Sequence, residues 1–177
     1  MRWLPSAPSA DVVTRDEAES AARQAVASLG VEAIDLGLHP RGDTKDRMGV
    51  VGWNMWMWAD SPGSGQLGTV SSSSSVGGID VSLTATAGEV VWSMGNGESV
   101  TCGPGRPWTM AATGGKNVAS PDCGYVYDAR GTYTVTATTD WSVSWQAAGF
   151  SGSIPLSVRR SAEVMVGEMQ SVNVQGP

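Results

Sequence analysis

The stretch GTYTVTATTDWSVSWQ, residues 131–146, alternates from end to end. Tyr133, Val135, Ala137, Thr139, Trp141, Val143 and Trp145 share one side of an extended chain. Thr134, Thr136, Thr138, Asp140, Ser142, Ser144 and Gln146 share the other. A helix advances about 100° per residue and would smear both sets around its axis, whereas a strand keeps them apart with a period of two. The stretch is therefore a long strand with one dry face, and that face needs a second layer to cover it.

Other segments repeat the pattern. GGIDVSLTATAG turns Ile79, Val81, Leu83 and Ala85 inward and Asp80, Ser82, Thr84 and Thr86 outward. EVVWSMG follows, and Gly95-Asn96-Gly97 leads from it into ESVTC. That is hairpin chemistry, because the glycines supply the positive φ of a tight turn. MGVVGWNMWMWAD is apolar on both sides, with Val51, Trp53, Met55 and Met57 on one and Trp56 and Trp58 on the other. A strand covered on both faces, or one carrying a bulge, reads this way. SGSIPLSV and AEVMVGEMQSVNV predict two further strands, with Pro155 marking a sheet edge. Together these segments predict an all-β, immunoglobulin-like β-sandwich over 48–177, with Trp92, Trp141 and Trp145 in its core. A chain with 23 Gly and only 16% charged residues has the composition of such a fold.

Ahead of the sandwich, residues 1–13 read as a Pro/Ser/Ala-rich linker, and 14–47 as a helix and its connector. TRDEAESAARQAVASLG carries a capping box at Thr14 and Glu17, acidic residues in the first turn, and Gly30 where a helix-ending residue belongs. Ala18, Ala21, Ala22, Ala25, Val26 and Leu29 form one small-residue stripe. The stripe suits either packing on the sandwich or a simple tether.

At 177 residues the chain has room for one domain and a short appendage. A net charge of −6 argues against a sequence-independent grip on nucleic acid or anionic lipid. No apolar run is long enough to span a bilayer, and MRWLPSAPSAD lacks the apolar core of a signal peptide. Either the protein is cytosolic or its export signal is not in this chain. Cys102 and Cys123 bear on that choice. Paired, they would close a loop of about 22 residues and imply an oxidising compartment; two unrelated buried thiols are the alternative.

Catalytic constellations are thin. Gly115-Lys116 looks like the tail of a phosphate-binding loop, but Met110 stands where its first glycine belongs and Asn117 where its Ser/Thr belongs. His39, the single histidine, precedes a proline in the connector and reads as exposed or capping rather than catalytic. The acids Asp80, Glu89, Glu98, Asp122, Asp128 and Asp140 show no spacing that selects a pair. Asn96, Glu98, Asp122 and Asp128 are oxygen donors near loops without a calcium-loop pattern. No metal, nucleotide or other cofactor follows, and the chain reads as non-enzymatic. Trp108, the one aromatic residue of the inter-cysteine loop GPGRPWTMAATGGKNVASPD, is the better binding candidate. Trp108 has no periodic partner, so it is either tucked under its own loop or free, with Tyr125 or Tyr127 nearby, to stack on a sugar or anchor a protein.

VVWSMGNGESV and CGYVYDARGTYTVTATTDWSV together resemble the PKD-type (polycystic kidney disease-type) domain. Trp92, Gly95 and Gly97 match that family's W-D-F-G-D-G motif, with Asn96 at its second Asp and Ser93-Met94 in place of Asp-Phe. Tyr125, Tyr127, Gly131, Tyr133 and Val135 match its second motif in order. A wider likeness over about 48–175, including the cysteine pair and VGEMQSV, is to uncharacterised exported actinobacterial proteins often labelled ATP/GTP-binding. The resemblance implies a secreted or envelope-associated module that binds a protein or serves as a spacer, with Met1 an internal start. In that reading the contacts are Trp108, Arg106, Lys116 and Tyr125. A carbohydrate-binding accessory and a virion or appendage component are the alternatives.

Overall fold

The computed structural model describes residues 12–169. Most of the linker read over 1–13 and the end of the last strand pattern lie outside them. The fold is mostly β, with one principal helix.

Helix α1, Arg15–Ala25, starts where the cap places it. Thr14 Oγ1 accepts from the Glu17 amide at 3.3 Å, and the Glu17 carboxylate accepts from the Thr14 amide at 2.8 Å. The helix runs into a 3-10 turn, Val26–Leu29, and stops at Gly30 in the left-handed region (φ 64°). Its alanine stripe is buried, and small side chains let the backbone approach a sheet closely.

Two sheets follow. The small one joins β1 (Leu36–His39), β3 (Asn54–Ala59) and β7 (Gly124–Val126) in the order β1-β3-β7, all antiparallel. The large one runs β2-β9-β8-β5-β4, from β2 (Gly49–Val50) through β9 (Phe150–Gly167), β8 (Gly131–Ala147) and β5 (Ile79–Ser93) to β4 (Thr69–Val76). Strand β6 (Ser99–Cys102) pairs with the far end of β5. The alternating 131–146 stretch is β8, and its odd-numbered side chains face inward as the period required.

Long strands β5, β8 and β9 serve two cores. At the Ala148-Gly149 end, Val81, Leu83, Ala85, Trp141, Val143, Trp145 and Ile154 pack against the α1 alanines. At the other end Val90, Trp92, Val135, Ala137, Val164 and Val166 pack with Leu38, Met55 and Met57 of the small sheet. A bulge separates them: Gly88 and Glu89 oppose the single residue Asp140, between the pairs Ala87/Trp141 and Val90/Thr139. The extra residue moves the inward set of β5 from odd positions to even ones. That is why one strand reads in sequence as two segments.

Three readings change in detail, and one open alternative is decided. The two C-terminal strand patterns are one strand, β9; only Arg160, at an inward position opposite Ala137, interrupts its alternation. Arg160 sits between the two cores and pairs with Asp35. Residues 31–47, read as a connector, contain β1. The serine run 69–76, not read as a strand, is β4. The helix is a packed layer over the large sheet, which decides between packing and tether. Pro155 lies on the free edge of β9, as expected of a strand proline.

The Gly95-Asn96-Gly97 segment is the β5–β6 hairpin turn. The Met94 amide donates to Glu98 O at 2.9 Å, and both glycines have positive φ (78° and 93°). Three tyrosines pack beside it. Tyr127 donates to Met94 O at 2.8 Å and stacks on Tyr133 at 4.3 Å, and Tyr133 donates to Ala129 O at 2.8 Å. Burial, the first cause, with its tyrosine neighbours raises the Tyr127 pKa well above the ordinary phenol value.

Candidate functional site: an aromatic cleft on the small sheet

The side chains of β3 explain its two-sided apolar pattern. Met55 and Met57 enter the core shared with the large sheet, while Trp56 and Trp58 point the other way. On that outer face the register sets His39 of β1 beside Trp56, and Gly37 beside Trp58. The inter-cysteine loop then folds over the face.

Cys102 and Cys123 are disulfide-bonded, with Cα atoms 5.7 Å apart. From there the loop follows β3. The Ala59 amide donates to Pro104 O (2.8 Å), and the Met57 amide to Cys123 O (3.0 Å). Gly105 crosses β3 so closely that a Cβ would collide with Met57 O, and its φ of 69° is also a glycine conformation. Further along, Thr109 caps a single helical turn, α2 (Met110–Thr113), whose C-cap is Gly114. The Trp56 indole N–H donates to Val118 O at 2.8 Å, and the Asn54 amide donates to Asn117 Oδ1 at 2.8 Å.

This path lays the Trp108 indole flat on the His39 imidazole, with ring centroids 3.7 Å apart and planes 10° from parallel. Beside the stack opens a cleft of about 80 Å³, lined among others by His39, Trp53, Trp56, Trp108, Lys116 and Asn117. Trp53 leaves 42% of its surface to solvent. Burial lowers the His39 pKa below the usual histidine value, favouring the neutral form of the stacked ring. Across His39 and Pro40 lies a wider hollow of about 420 Å³, with Met48 and Trp58 in its lining and Arg41 and Arg47 alongside.

Of the residues singled out in the sequence, the structure brings Trp108 and Lys116 together in the cleft. Arg106 instead pairs with Asp122 at 2.7 Å. Tyr125 accepts from Asn96 Nδ2 at 2.7 Å and donates to Glu98, at the hairpin turn. Burial, ahead of the Glu98 hydrogen bond, raises the Tyr125 pKa. Glu98 and Asp122 are thus engaged with different partners, and among the described residues no three His, Cys, Asp or Glu side chains gather to hold a metal. Gly115-Lys116 follows a helical turn rather than opening one, so its amides form no phosphate cradle.

Sequence reasoning missed His39, Trp53 and Trp56 as cleft residues. The signal for His39 was the alternation of Ile34, Leu36 and Leu38, a short strand ending one residue before Pro40. Comparison with family models, curated proteins and solved structures returns no match.

Proposed function

We propose that this chain is a non-enzymatic extracytoplasmic module with an immunoglobulin/PKD-like β-sandwich at its centre, and that it binds a protein partner through the outer face of the small sheet. The composition of that face carries the reading. Trp53, Trp58, Trp108, Met48, Arg41 and Arg47 gather around two adjoining hollows. Tryptophan, methionine and arginine are the residue types enriched where protein interfaces concentrate their binding energy. The cleft volume agrees: about 80 Å³ is far below what encloses a whole small-molecule ligand, but suits one inserted side chain.

The architecture is supported by two sheets sharing the core around Trp92 and by the Tyr133 hydroxyl bonded four residues back to Ala129 O. The latter resembles the tyrosine corner of sandwich domains. The disulfide favours an oxidising compartment. Among the described residues no helix is long and apolar enough to cross a membrane.

A carbohydrate ligand is the second reading, favoured by the exposed Trp53 indole beside the Asn54 and Asn117 amides, where a sugar ring could stack and hydrogen-bond. The test is sedimentation of the protein with isolated actinobacterial envelopes before and after protease treatment, and with purified peptidoglycan, chitin and cellulose. Protease-sensitive binding lost in Trp53→Ala and Trp108→Ala supports the protein reading. Binding to a purified glycan replaces it with the second. Envelope binding unchanged in both variants refutes the cleft.

A further inference from the structure

The large sheet ends in two very different edges. Along its free edge β9 carries Pro155, Arg159, Arg160 and Glu163, the kinds of residue that discourage strand addition. Strand β4, Thr69–Val76, pairs with β5 alone and carries none of them; it is TVSSSSSV. No other element in the described residues extends the sheet beyond it.

Its backbone polarity follows from one hydrogen bond. The Ala87 amide donates to Gly68 O at 2.8 Å, so Gly68 faces β5. Alternation then turns Val70, Ser72, Ser74 and Val76 toward β5, and Thr69, Ser71, Ser73 and Ser75 toward the free edge. The two-residue Gly77-Gly78 turn, closed by the pair Val76/Ile79, has the same phase. The N–H and C=O groups of Ser71, Ser73 and Ser75 make none of the backbone bonds found outside the ladder.

The sequence of this edge is a palindrome. Val-Ser-Ser-Ser-Ser-Ser-Val, residues 70–76, reads the same in both directions about Ser73. We propose that β4 pairs antiparallel with β4 of a second copy across a twofold axis at Ser73, joining two large sheets into one. A twofold interface requires that residue i meets j and j meets i. Here Ser73 meets itself, Ser71 meets Ser75, Ser72 meets Ser74 and Val70 meets Val76. Apolar side chains thus face apolar ones on the helix-covered side, and hydroxyls face hydroxyls elsewhere. Ser71, Ser73 and Ser75 are the residues with outward backbone groups, so the seam gains about six backbone hydrogen bonds. No charged side chain lies on β4, so the twofold sets no like charges opposite each other on the paired strands.

A separate observation points the same way. Ser74 Oγ is buried without a hydrogen-bond partner, while Ser72 Oγ on the same side bonds Ser28 Oγ at 2.8 Å. In the proposed register Ser74 faces the Ser72 of the second copy in a non-hydrogen-bonded pair, the kind in which side chains approach most closely. The orphan hydroxyl then has a partner.

A seven-residue seam about 24 Å long belongs at the small end of specific interfaces. The dimer is therefore reversible, with a Kd on the order of micromolar. Sedimentation velocity from about 1 µM to about 1 mM spans that range and reports the mass directly. The expected result is a shift from the 18.3 kDa monomer to twice that mass. Ser73→Pro removes an outward N–H without touching the β5 ladder, and it weakens the dimer at least about tenfold. Ser73→Lys places two ammonium groups at the axis and weakens it in a manner that added salt relieves; this variant carries the test if Ser73→Pro loses its native circular dichroism. Ser73→Cys cross-links to itself on mild oxidation, and Ser82→Cys, one strand inward, does not. A wild-type protein that stays monomeric throughout, or a dimer equally tight with Ser73→Lys, overturns the proposal.

Discussion

Breaking the Cys102–Cys123 bond tests how the inter-cysteine loop is held. The loop keeps its place on β3 through the Ala59–Pro104, Met57–Cys123, Trp56–Val118 and Asn54–Asn117 hydrogen bonds, none of which involves sulfur. The cross-link should therefore act mainly on the unfolded chain, by forbidding conformations in which the cysteines are far apart. For a sequence separation of 21, the chain-entropy relation gives about 3 kcal/mol. In a chain of 177 residues that lowers Tm by roughly 6–12 °C. The assay is urea unfolding of oxidised protein, of protein reduced with a phosphine, and of the Cys102→Ala/Cys123→Ala variant. Reduction keeps both sulfurs in place and isolates the cross-link, whereas the double variant adds the packing lost at two sites that are 6% and 2% exposed. The reduced chain should also show a larger m value, since its unfolded state exposes more surface. In the folded reduced protein the Trp56 indole proton should stay slow to exchange. A loss below about 1 kcal/mol, with m unchanged, would refute the unfolded-state account. Fast exchange at Trp56 would show that the disulfide, not the hydrogen bonds, positions the loop.

Other perturbations follow from single contacts. Because burial depresses the folded His39 pKa, the unfolded chain takes up that proton first. The His39 contribution to stability is complete above the unfolded value and is lost as pH falls through the folded one; His39→Gln should remove that part of the slope between about pH 7.5 and pH 5.5. Trp108→Ala uncovers the ring and should move the pKa of His39 up toward its ordinary value, read from the one histidine resonance in the NMR spectrum. Gly95→Ala should cost about 2 kcal/mol or more in chemical denaturation, from positive φ and from a Cβ 2.8 Å from the Thr134 backbone. Gly97→Ala has the same sign of φ but open space, and should cost about half as much. Thr14→Ala removes the cap of α1 and should cost about 1 kcal/mol.

The elements legible in sequence are those whose signal is local and strong. The α1 cap, the alternation of β8 and the glycine hairpin each follow from a few neighbouring residues. Strand β4 was not legible because five serines carry no contrast between its faces; only Val70 and Val76 mark the inner one. Strand β1 is four residues long, and the charges and the single proline around it outweigh its two leucines. The cleft shows the same division. Trp108 stood out because nothing in its own loop could pair with it. Its partner His39 did not, because sixty-nine residues separate them and only the β1–β3 register and the loop's crossing at Gly105 bring them together.

The bulge at Gly88-Glu89 gives β5 something like a reading frame. Both residues are exposed and touch neither core, so substitutions at Glu89 should be tolerated, whereas a Cβ at Gly88 would sit 3.1 Å from Asp140 O. A change of length is another matter. Removing one of the two restores a regular ladder to β8 and leaves Trp92 opposite Ala137, facing the core. Removing both shifts every later β5 residue by one: Trp92, now fully buried, turns to solvent, and Val91 and Ser93 turn into the core. The bulge can thus give up one residue but not two, and the covered core around Trp92 depends on a residue count set some four positions upstream.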